Sequence, residues 1–315
     1  MLKERTLPTF SDRLATQIRQ KKTPVLVGLD PRWAQIPEAL KSGKSESNPA
    51  DVAEVFETFC RKIVDVVAPL VPAVKPQAAF FEQYGPAGSA ALASIIRYAS
   101  SKGLLVVLDA KRHDIGSTAT AYARGMIGAS SPWGADALTV GPYLGDDSLT
   151  PFVDVANERD GGIFVLVKTS NPGGAQFQDL AFEGKTLYRR VGEYVQTLAA
   201  ESVEKTGCAC GYGNVGGVVG ATWPAQLTEL RAALPNVWFL VPGYGSQGGG
   251  AKDVAGAFDE NGLGAIVNNS RGIIFAYRSE AYKDRFGEAR WEEAVEASTR
   301  DMIAALAAET TVGRL

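Results

Sequence analysis

Histidine and cysteine are scarce in this chain, whose 315 residues include one histidine, His113, and three cysteines. A single histidine excludes zinc sites built from several histidines and most catalytic triads that depend on histidine. Three cysteines cannot form a disulfide framework, and Cys208 and Cys210 are too close in sequence for an ordinary bridge. We therefore expect all three thiols to be reduced, and a Cys-x-Cys pair without further ligands is a weak indication of a metal site.

The chain also lacks an excess of charge of one sign and any long apolar run. Its 32 basic and 35 acidic residues give a net charge of -3, which offers no general attraction to nucleic acid or to an anionic membrane. No segment reaches the roughly eighteen uninterrupted apolar residues of a membrane span. The charged residues 1–22 lack the apolar stretch of a signal peptide. We therefore expect a cytoplasmic protein without a nucleic-acid or membrane partner, in which any phosphate contact is local.

What is present is an alternation of short β-branched runs with longer segments of helical periodicity. The runs predict eight strands, at residues 23–30, 72–76, 104–110, 135–141, 162–169, 215–222, 237–243 and 263–270. Near-continuous apolar strands indicate a sheet that is covered on both faces, and eight βα repeats are what a closed parallel barrel needs. The pattern favours an α/β fold of the TIM (β/α)8 type over a doubly wound open sheet.

The region before the first strand adds a further element to this barrel. Leu14 and Ile18 lie on one face of an amphipathic segment, which predicts an extra N-terminal helix that covers the barrel floor. No internal repeat beyond the βα alternation is present. We expect residues 1–315 to form a single barrel domain.

Polar residues cluster where the predicted strands end. In a βα barrel the catalytic groups come from the carboxyl ends of the strands, and these ends meet at one mouth. The polar residues at these ends are Asp30, Lys75, Asp109, Lys111, Asp114, Lys168, Thr169, Ser170, Asn268, Asn269, Ser270 and Arg271. The sequence therefore predicts a group of opposite charges at the mouth.

The segment LDAKRHDIGSTAT after the third strand is the most informative part of this set. Asp109 and Lys111 are two residues apart and point to the same side of a strand, and Asp114 lies one loop further on. One interpretation is an ordinary ion pair, with Asp114 as a helix cap. The other is catalytic, because alternating carboxylates and ammonium groups stabilise each other's charged forms and a lysine held there can deliver a proton to carbon. The alternation favours the catalytic interpretation.

The glycine-rich segment VPGYGSQGGG, at residues 241–250, follows the seventh predicted strand. Glycines permit a close backbone approach, and the loops after the seventh and eighth strands are the usual phosphate site of this fold. Arg271 would add a fork of donors to the same phosphate. A plain tight turn is the alternative, and the position after the seventh strand favours phosphate binding.

These motifs together resemble those of the orotidine 5'-phosphate decarboxylase family. The D-x-K-x-x-D pattern of Asp109, Lys111 and Asp114, with Thr118 following, carries the resemblance. Asp30, Lys75, the TSNPGG run, the PGYGSQGG loop and Arg271 extend it over nearly the whole chain in the right order. The extra length and the runs VKPQAAFFEQYGPAG and NNSRGIIFA resemble the longer bacterial branch of that family. The D-x-K-x-x-D element alone is shared with related barrels, including sugar-phosphate decarboxylases and aldolase-like synthases.

The resemblance implies a carboxy-lyase that converts orotidine 5'-monophosphate to uridine 5'-monophosphate, the last step of pyrimidine nucleotide synthesis, without metal or organic cofactor. It implies that Lys111 stabilises and protonates the carbanion at C6. Asp109 would lie against the departing carboxylate and, together with Lys75 and Asp114, would hold the lysine in place.

The same resemblance implies a set of substrate contacts and a homodimer. Asp30 and Lys75 would hold ribose hydroxyls, and Ser170 would bond the pyrimidine edge. The phosphate would be held by Gln247, Arg271 and backbone amides near Gly245 and Gly272. The residues that match Asp114 and Thr118 reach into the neighbouring subunit's site in this family, so the expected active unit is a homodimer.

Two other functions remain open on the sequence. A magnesium-dependent barrel could decarboxylate or condense a keto-sugar phosphate through an enediolate, with Glu82 as the nearest additional ligand candidate. A non-catalytic nucleotide-binding barrel would keep the phosphate loop and Arg271, yet it would not need the paired carboxylates and lysines. His113, Arg112 and Lys168 are interpreted as surface or packing residues.

Overall fold

A computed structural model describes residues 8–245 and 248–315. Its strands are β1 (Val25–Leu29), β2 (Ala73–Pro76), β3 (Leu105–Arg112), β4 (Ala137–Val140), β5 (Gly162–Lys168), β6 (Ala181–Phe182), β7 (Lys185–Thr186), β8 (Val215–Val219), β9 (Phe239–Val241) and β10 (Ala265–Asn269). Eight of them form a closed barrel in the order β1-β10-β9-β8-β5-β4-β3-β2, and every pairing in it is parallel. The predicted TIM barrel is therefore confirmed. Strands β6 and β7 form a small separate hairpin after β5.

Helices surround this barrel and connect its strands. They are α1 (Phe10–Lys21), α2 (Pro49–Val67), α3 (Ala79–Glu82), α4 (Gly85–Ser101), α5 (Gly116–Met126), α6 (Asp146–Glu158), α7 (Ala175–Gln178), α8 (Leu187–Thr206), α9 (Pro224–Ala233), α10 (Arg271–Ile274), α11 (Lys283–Phe286) and α12 (Trp291–Glu309). The major hydrophobic core lies between the strands and these helices. No helix in the two described ranges is long and apolar enough to cross a membrane.

The predicted N-terminal helix is confirmed as α1, and it closes the floor of the barrel. Thr9 caps the helix by accepting a hydrogen bond from the amide of Asp12. Phe10, Leu14 and Ile18 are buried in a second apolar cluster that fills the barrel interior. The Phe10 ring meets Phe164 edge-on at 6.1 Å between centroids. Because α1 seals the amino ends of the strands, the open end of the barrel is the mouth formed by their carboxyl ends.

Candidate active site

A cavity of about 460 Å³ opens at the carboxyl ends of the barrel strands. Residues from all eight barrel strands, or from the loops that follow them, line its wall. Six of the predicted site residues are among them: Asp30, Lys75, Asp109, Lys111, Ser170 and Arg271. The barrel thus brings together groups that are far apart in the sequence, as the strand-end rule predicts.

Asp109, on β3, lies at the centre of the charged group and is 6% exposed. Its Oδ2 accepts hydrogen bonds from Lys75 Nζ at 2.8 Å and from Gln77 Nε2 at 3.0 Å. Its Oδ1 accepts from Lys111 Nζ at 2.8 Å and from Thr139 Oγ1 at 2.9 Å. Four donors therefore satisfy one buried carboxylate and fix its orientation.

This arrangement favours the charged forms of both buried partners. Burial alone would raise the pKa of Asp109, but the ammonium groups of Lys75 and Lys111 hold it well below its usual range. Burial alone would lower the pKa of Lys75, but the negative charges of Asp109 and Asp30 raise it above its usual value. A permanent negative charge therefore lies between two cations at the wall of the cavity.

Lys111 differs from Lys75 in backbone and exposure. Its φ of 46° is in the left-handed region, and the pairing of β3 with β4 is irregular between Leu108 and Arg112. The backbone amide of Lys111 donates to Thr139 Oγ1 at 2.9 Å. The Lys111 side chain is 48% exposed, whereas that of Lys75 is 4% exposed. The side chains of Asp109 and Lys111 do point to the same side, as predicted, but the end of the strand that carries them is irregular. The Lys111 ammonium is accessible from the cavity.

Asp30, after β1, presents an acceptor to the cavity. Its Oδ1 is buried and has no hydrogen-bond partner within the described residues. A buried carboxylate oxygen without a donor is costly, so this atom is suited to accept from a bound hydroxyl group. The neighbouring β1 residue Gly28 is required for packing, because a Cβ atom there would lie 1.8 Å from Ser270 Oγ.

The glycine-rich loop after β9 and the end of β10 form the opposite side of the mouth. Arg271 lines the cavity and makes no ion pair with any residue of the described ranges. The amide of Gly245 bonds the carbonyl of Gly249 at 2.8 Å, and the amide of Gly272 bonds Asn269 Oδ1 at 3.2 Å. Gln247 lies outside the described residues. The Asn269 side chain lies beside both glycines. A Cβ atom at position 245 would be 3.3 Å from Asn269 Nδ2, and one at position 272 would be 2.7 Å from Asn269 Oδ1.

Ser170 lines the cavity at the start of the long segment that follows β5. Its carbonyl accepts from Thr222 Oγ1 at 3.1 Å. Two residues earlier, Lys168 at the end of β5 is fully buried, pairs with Asp179 and lies over the ring of Trp223 with Nζ 4.6 Å from the centroid. A buried cation thus attaches the segment that carries Ser170 to the barrel.

Asp114 and Thr118 are not brought to this cavity within the single chain. Asp114 accepts a hydrogen bond from the amide of Ile115 at 2.8 Å and forms no ion pair with the described residues. Helix α5 begins after Ile115 without a side-chain cap, so the interpretation of Asp114 as a helix cap is wrong. Thr118 is exposed on α5, and the apolar side chains of Ile115 and Tyr143 nearby are 55% and 89% exposed.

The remaining candidates from the sequence have local partners. Glu82 forms an ion pair with Arg112, so its carboxylate is occupied outside the cavity lining. His113 is exposed and packs against Gly141.

The sequence reasoning missed Gln77 and Thr139, which bond Asp109 directly. Both are polar residues at or just beyond otherwise apolar strands, and the same strand-end rule would have identified them.

Comparisons with known proteins show which family this chain resembles. The family model described as "Orotidine 5'-phosphate decarboxylase / HUMPS family" matches residues 23–284. An orotidine 5'-phosphate decarboxylase from Rhodopirellula baltica is 52% identical over 298 residues, which cover 93% of this chain and 97% of that relative. A second from Caldicellulosiruptor bescii is 40% identical over 285 residues, with coverage of 87% and 92%.

Solved structures show the same similarity. The putative orotidine 5'-phosphate decarboxylase from Streptomyces avermitilis superposes with a TM-score of 0.76 at 32% identity, over 98% of this chain and 99% of that chain. The OMP decarboxylase from Leishmania donovani gives a TM-score of 0.73 at 33% identity, with coverage of 96% and 98%. Similarity in sequence and in fold therefore extends over nearly the whole chain.

Proposed function

The chain belongs to the orotidine 5'-phosphate decarboxylase / HUMPS family and converts orotidine 5'-monophosphate to uridine 5'-monophosphate, and we propose that Lys111 and Asp109 carry out this step. The observation that carries the proposal is the buried Asp109 carboxylate held between Lys75 and Lys111 at the cavity wall. The magnesium-dependent alternative is not supported, because the relatives are orotidine 5'-phosphate decarboxylases and Glu82 is paired with Arg112.

The reaction demands strong electrostatic stabilisation. The bond between C6 and the carboxylate breaks, its electron pair stays on C6, and carbon dioxide leaves. No carbonyl group is placed to delocalise the resulting vinyl carbanion, so the enzyme must supply on the order of 20 kcal/mol of stabilisation. Fixed charges in a site that is already organised are the most effective source of such stabilisation.

Lys111 is the group suited to meet the carbanion. Its ammonium reaches the cavity, is half exposed, and is held by Asp109 Oδ1 at 2.8 Å. In the proposed step one proton moves from Lys111 Nζ to C6, and the lysine regains a proton from solvent. Asp109 lies against the departing carboxylate and fixes the ammonium, while buried Lys75 keeps Asp109 ionised. The step requires neither metal nor organic cofactor.

The rest of the cavity is proposed to bind the nucleotide. The buried Oδ1 of Asp30, which has no hydrogen-bond partner among the described residues, accepts from a ribose hydroxyl, with Lys75 beside it. Ser170 bonds the pyrimidine edge. Arg271 has no competing ion pair in the described residues and holds the phosphate. Gln247 and backbone amides near Gly245 and Gly272 are proposed to complete this phosphate site. The amides of these two glycines themselves donate to Gly249 and Asn269, so a bound phosphate would exchange those contacts for its own or use neighbouring amides.

Asp114 and Thr118 are proposed to complete the site of a second subunit in a homodimer. Four exposed apolar side chains lie around them at the carboxyl ends of β3 and β4 and on α5: Ile115, Tyr122, Tyr143 and Leu144. An exposed apolar group of this kind at a polar rim is typical of a protein–protein interface. A cytoplasmic location fits the three unpaired cysteines.

Activity is tested by the fall in ultraviolet absorbance of orotidine 5'-monophosphate on addition of the protein, with and without EDTA. We expect turnover that resists the chelator. Lys111→Ala should lower it by at least about 10³-fold while the melting temperature stays close to that of the parent. Lys102→Ala removes a lysine from a surface ion pair with Asp65 and serves as the control. Undiminished turnover in Lys111→Ala would remove Lys111 from its role.

The shared site is tested by mixing two inactive variants. If Asp114 acts in the neighbouring subunit, a mixture of Lys111→Ala and Asp114→Ala forms heterodimers with one intact site. Random exchange then restores about a quarter of the parent activity. A mixture of Lys111→Ala and Asp109→Asn is the control, because both changes lie in one cavity and no intact site can form. Equal recovery in both mixtures, or none in either, contradicts the shared site.

A further inference from the structure

A cluster of sulfur and oxygen donors lies on the barrel floor, at the opposite end from the cavity. It consists of Asp12 at the start of α1 and Cys208 and Cys210 in the turn after α8, and their potential ligand atoms all lie within 4.8 Å of one another. The Cys208 sulfur is 3.3 Å from the Cys210 sulfur and 3.3 Å from Asp12 Oδ1. It is also 3.0 Å from the carbonyl oxygen of Tyr212. Four donors from two separate parts of the chain therefore converge.

The backbone holds these donors in place. Helix α8 ends at Thr206 and is followed by Gly207, whose φ of 66° is in the left-handed region and turns the chain out of the helix. Asp12 Oδ1 accepts from the amides of Ala209 at 3.0 Å and of Cys210 at 2.9 Å. Thr9 Oγ1 donates to the second carboxylate oxygen of Asp12 at 2.9 Å. These contacts fix the orientation of the carboxylate beside the two sulfur atoms, and they use three of its roughly four lone-pair sites.

The spacing is close to that of a tetrahedral zinc site. Bond lengths of about 2.3 Å to sulfur and 2.0 Å to oxygen place two sulfur ligands about 3.8 Å apart and a sulfur and an oxygen ligand about 3.5 Å apart. The observed 3.3 Å separations require outward shifts of half an ångström or less. A cleft of about 320 Å³, lined by Asp12 and Cys210 among others, leads from the surface to the cluster.

We propose that Asp12, Cys208 and Cys210 bind a divalent transition-metal cation of the zinc type, with the Tyr212 carbonyl oxygen as a further donor. Metal binding requires the two thiols to lose their protons, and a cation between them then neutralises the like charges of two thiolates and a carboxylate. Sulfur ligands favour zinc over magnesium or calcium. The site ties α1 to the turn between α8 and β8. It is structural, and it is separate from the decarboxylation chemistry at the mouth.

The probe is Co²⁺ added to the full chain after metal removal under reducing conditions. We expect one Co²⁺ per chain, a thiolate-to-cobalt charge-transfer absorbance, and displacement of that absorbance by Zn²⁺. Cys208→Ser and Cys210→Ser should each lose most of the absorbance, and Asp12→Asn should weaken binding by at least about tenfold. Cys60→Ala is the matched control, because Cys60 is buried on α2 outside the cluster and should leave binding unchanged.

A second measurement separates binding from a structural defect in the variants. Zn²⁺ should raise the melting temperature of the parent and of Cys60→Ala but leave that of Cys208→Ser unchanged, whatever the starting stability of each protein. An undiminished charge-transfer absorbance in Cys208→Ser, or no absorbance in a parent with three titratable thiols, overturns the proposal. A disulfide between Cys208 and Cys210 that persists under reductant also overturns it.

Discussion

The buried charge of Asp109 provides a direct test of how the site is held together. Asp109→Asn keeps the size of the side chain but removes the negative charge between Lys75 and Lys111, and it points an amide donor at other donors. Lys75 is 4% exposed and would then be a buried cation without a partner. Removing one member of a buried ion pair costs about 3–5 kcal/mol. We expect this loss in the free energy of unfolding at pH 7.

The same reasoning gives the dependence on pH. The pKa of Asp109 lies well below its usual range in the folded protein, because Lys75 and Lys111 favour the carboxylate over its burial cost. The stability that this carboxylate contributes is complete above the unfolded pKa of about 3.9 and is lost as pH falls toward the folded value. The contribution falls by up to about 1.4 kcal/mol per pH unit in that range. The difference in the free energy of unfolding between the parent and Asp109→Asn should therefore become smaller below about pH 4.

Urea denaturation at fixed protein concentration, at pH 7 and at steps below pH 4, measures both effects. Asp65→Asn is the control, since it makes the same chemical change in an ion pair with Lys102 whose side chains are 46% and 40% exposed. An exposed pair contributes about 1 kcal/mol or less. The electrostatic account would be refuted if Asp109→Asn lost no more free energy of unfolding than Asp65→Asn does. It would also be refuted if the difference between the parent and Asp109→Asn grew in acid.

Three further changes test other parts of the site. Arg271→Ala should lower kcat/KM for orotidine 5'-monophosphate by about 10- to 100-fold, the value of one or two charged hydrogen bonds, and steady-state kinetics should show little effect on the phosphate-free nucleoside. Lys168→Met should change the free energy of unfolding by about 1 kcal/mol or less, because its partner Asp179 is 40% exposed and is not left as a buried charge. Hydrogen exchange over residues 170–186 should become faster in this variant. Gly28→Ala should cost about 1–3 kcal/mol in urea denaturation, because its Cβ atom would lie 1.8 Å from Ser270 Oγ, and a second change, Ser270→Gly, should recover most of the loss.

The barrel was predictable because its strands are short, apolar and regularly spaced. Each observed barrel strand overlaps its predicted run, and most are shorter. The run predicted at 215–222 ends as β8 at Val219, and the next residue, Gly220, closely approaches Ser170. Glycine at 220 permits that approach, because a Cβ atom there would lie 2.7 Å from the Cα of Ser170. Periodicity identifies such runs, but tertiary contacts fix where the ladder ends.

The strand-end rule identifies polar residues at the mouth, charged and uncharged alike, but it does not show which of them meet. Gln77 and Thr139 carry no charge, and their role depends on the register that places them beside Asp109, including the bridge between Gln77 and Asp109. Asn269 similarly depends on tertiary contacts, because its side chain lies close to Gly245 in the loop after β9 and to Gly272 in α10. Asp114 belongs to a recognisable motif, yet its spacing from Lys111 gives no indication that the two side chains lie apart in one chain.

Lys111 shows how backbone and electrostatics depend on each other at the mouth. A left-handed conformation outside glycine costs on the order of 1–3 kcal/mol and persists only where surrounding contacts impose it. Here the Thr139 hydroxyl accepts from the Lys111 amide and donates to the Asp109 oxygen that also holds the Lys111 ammonium. One hydroxyl therefore couples the strained backbone to the carboxylate. Asp109 therefore holds the Lys111 ammonium in place, while the ammonium stays accessible from the cavity. The proposed delivery of a proton to carbon requires this arrangement.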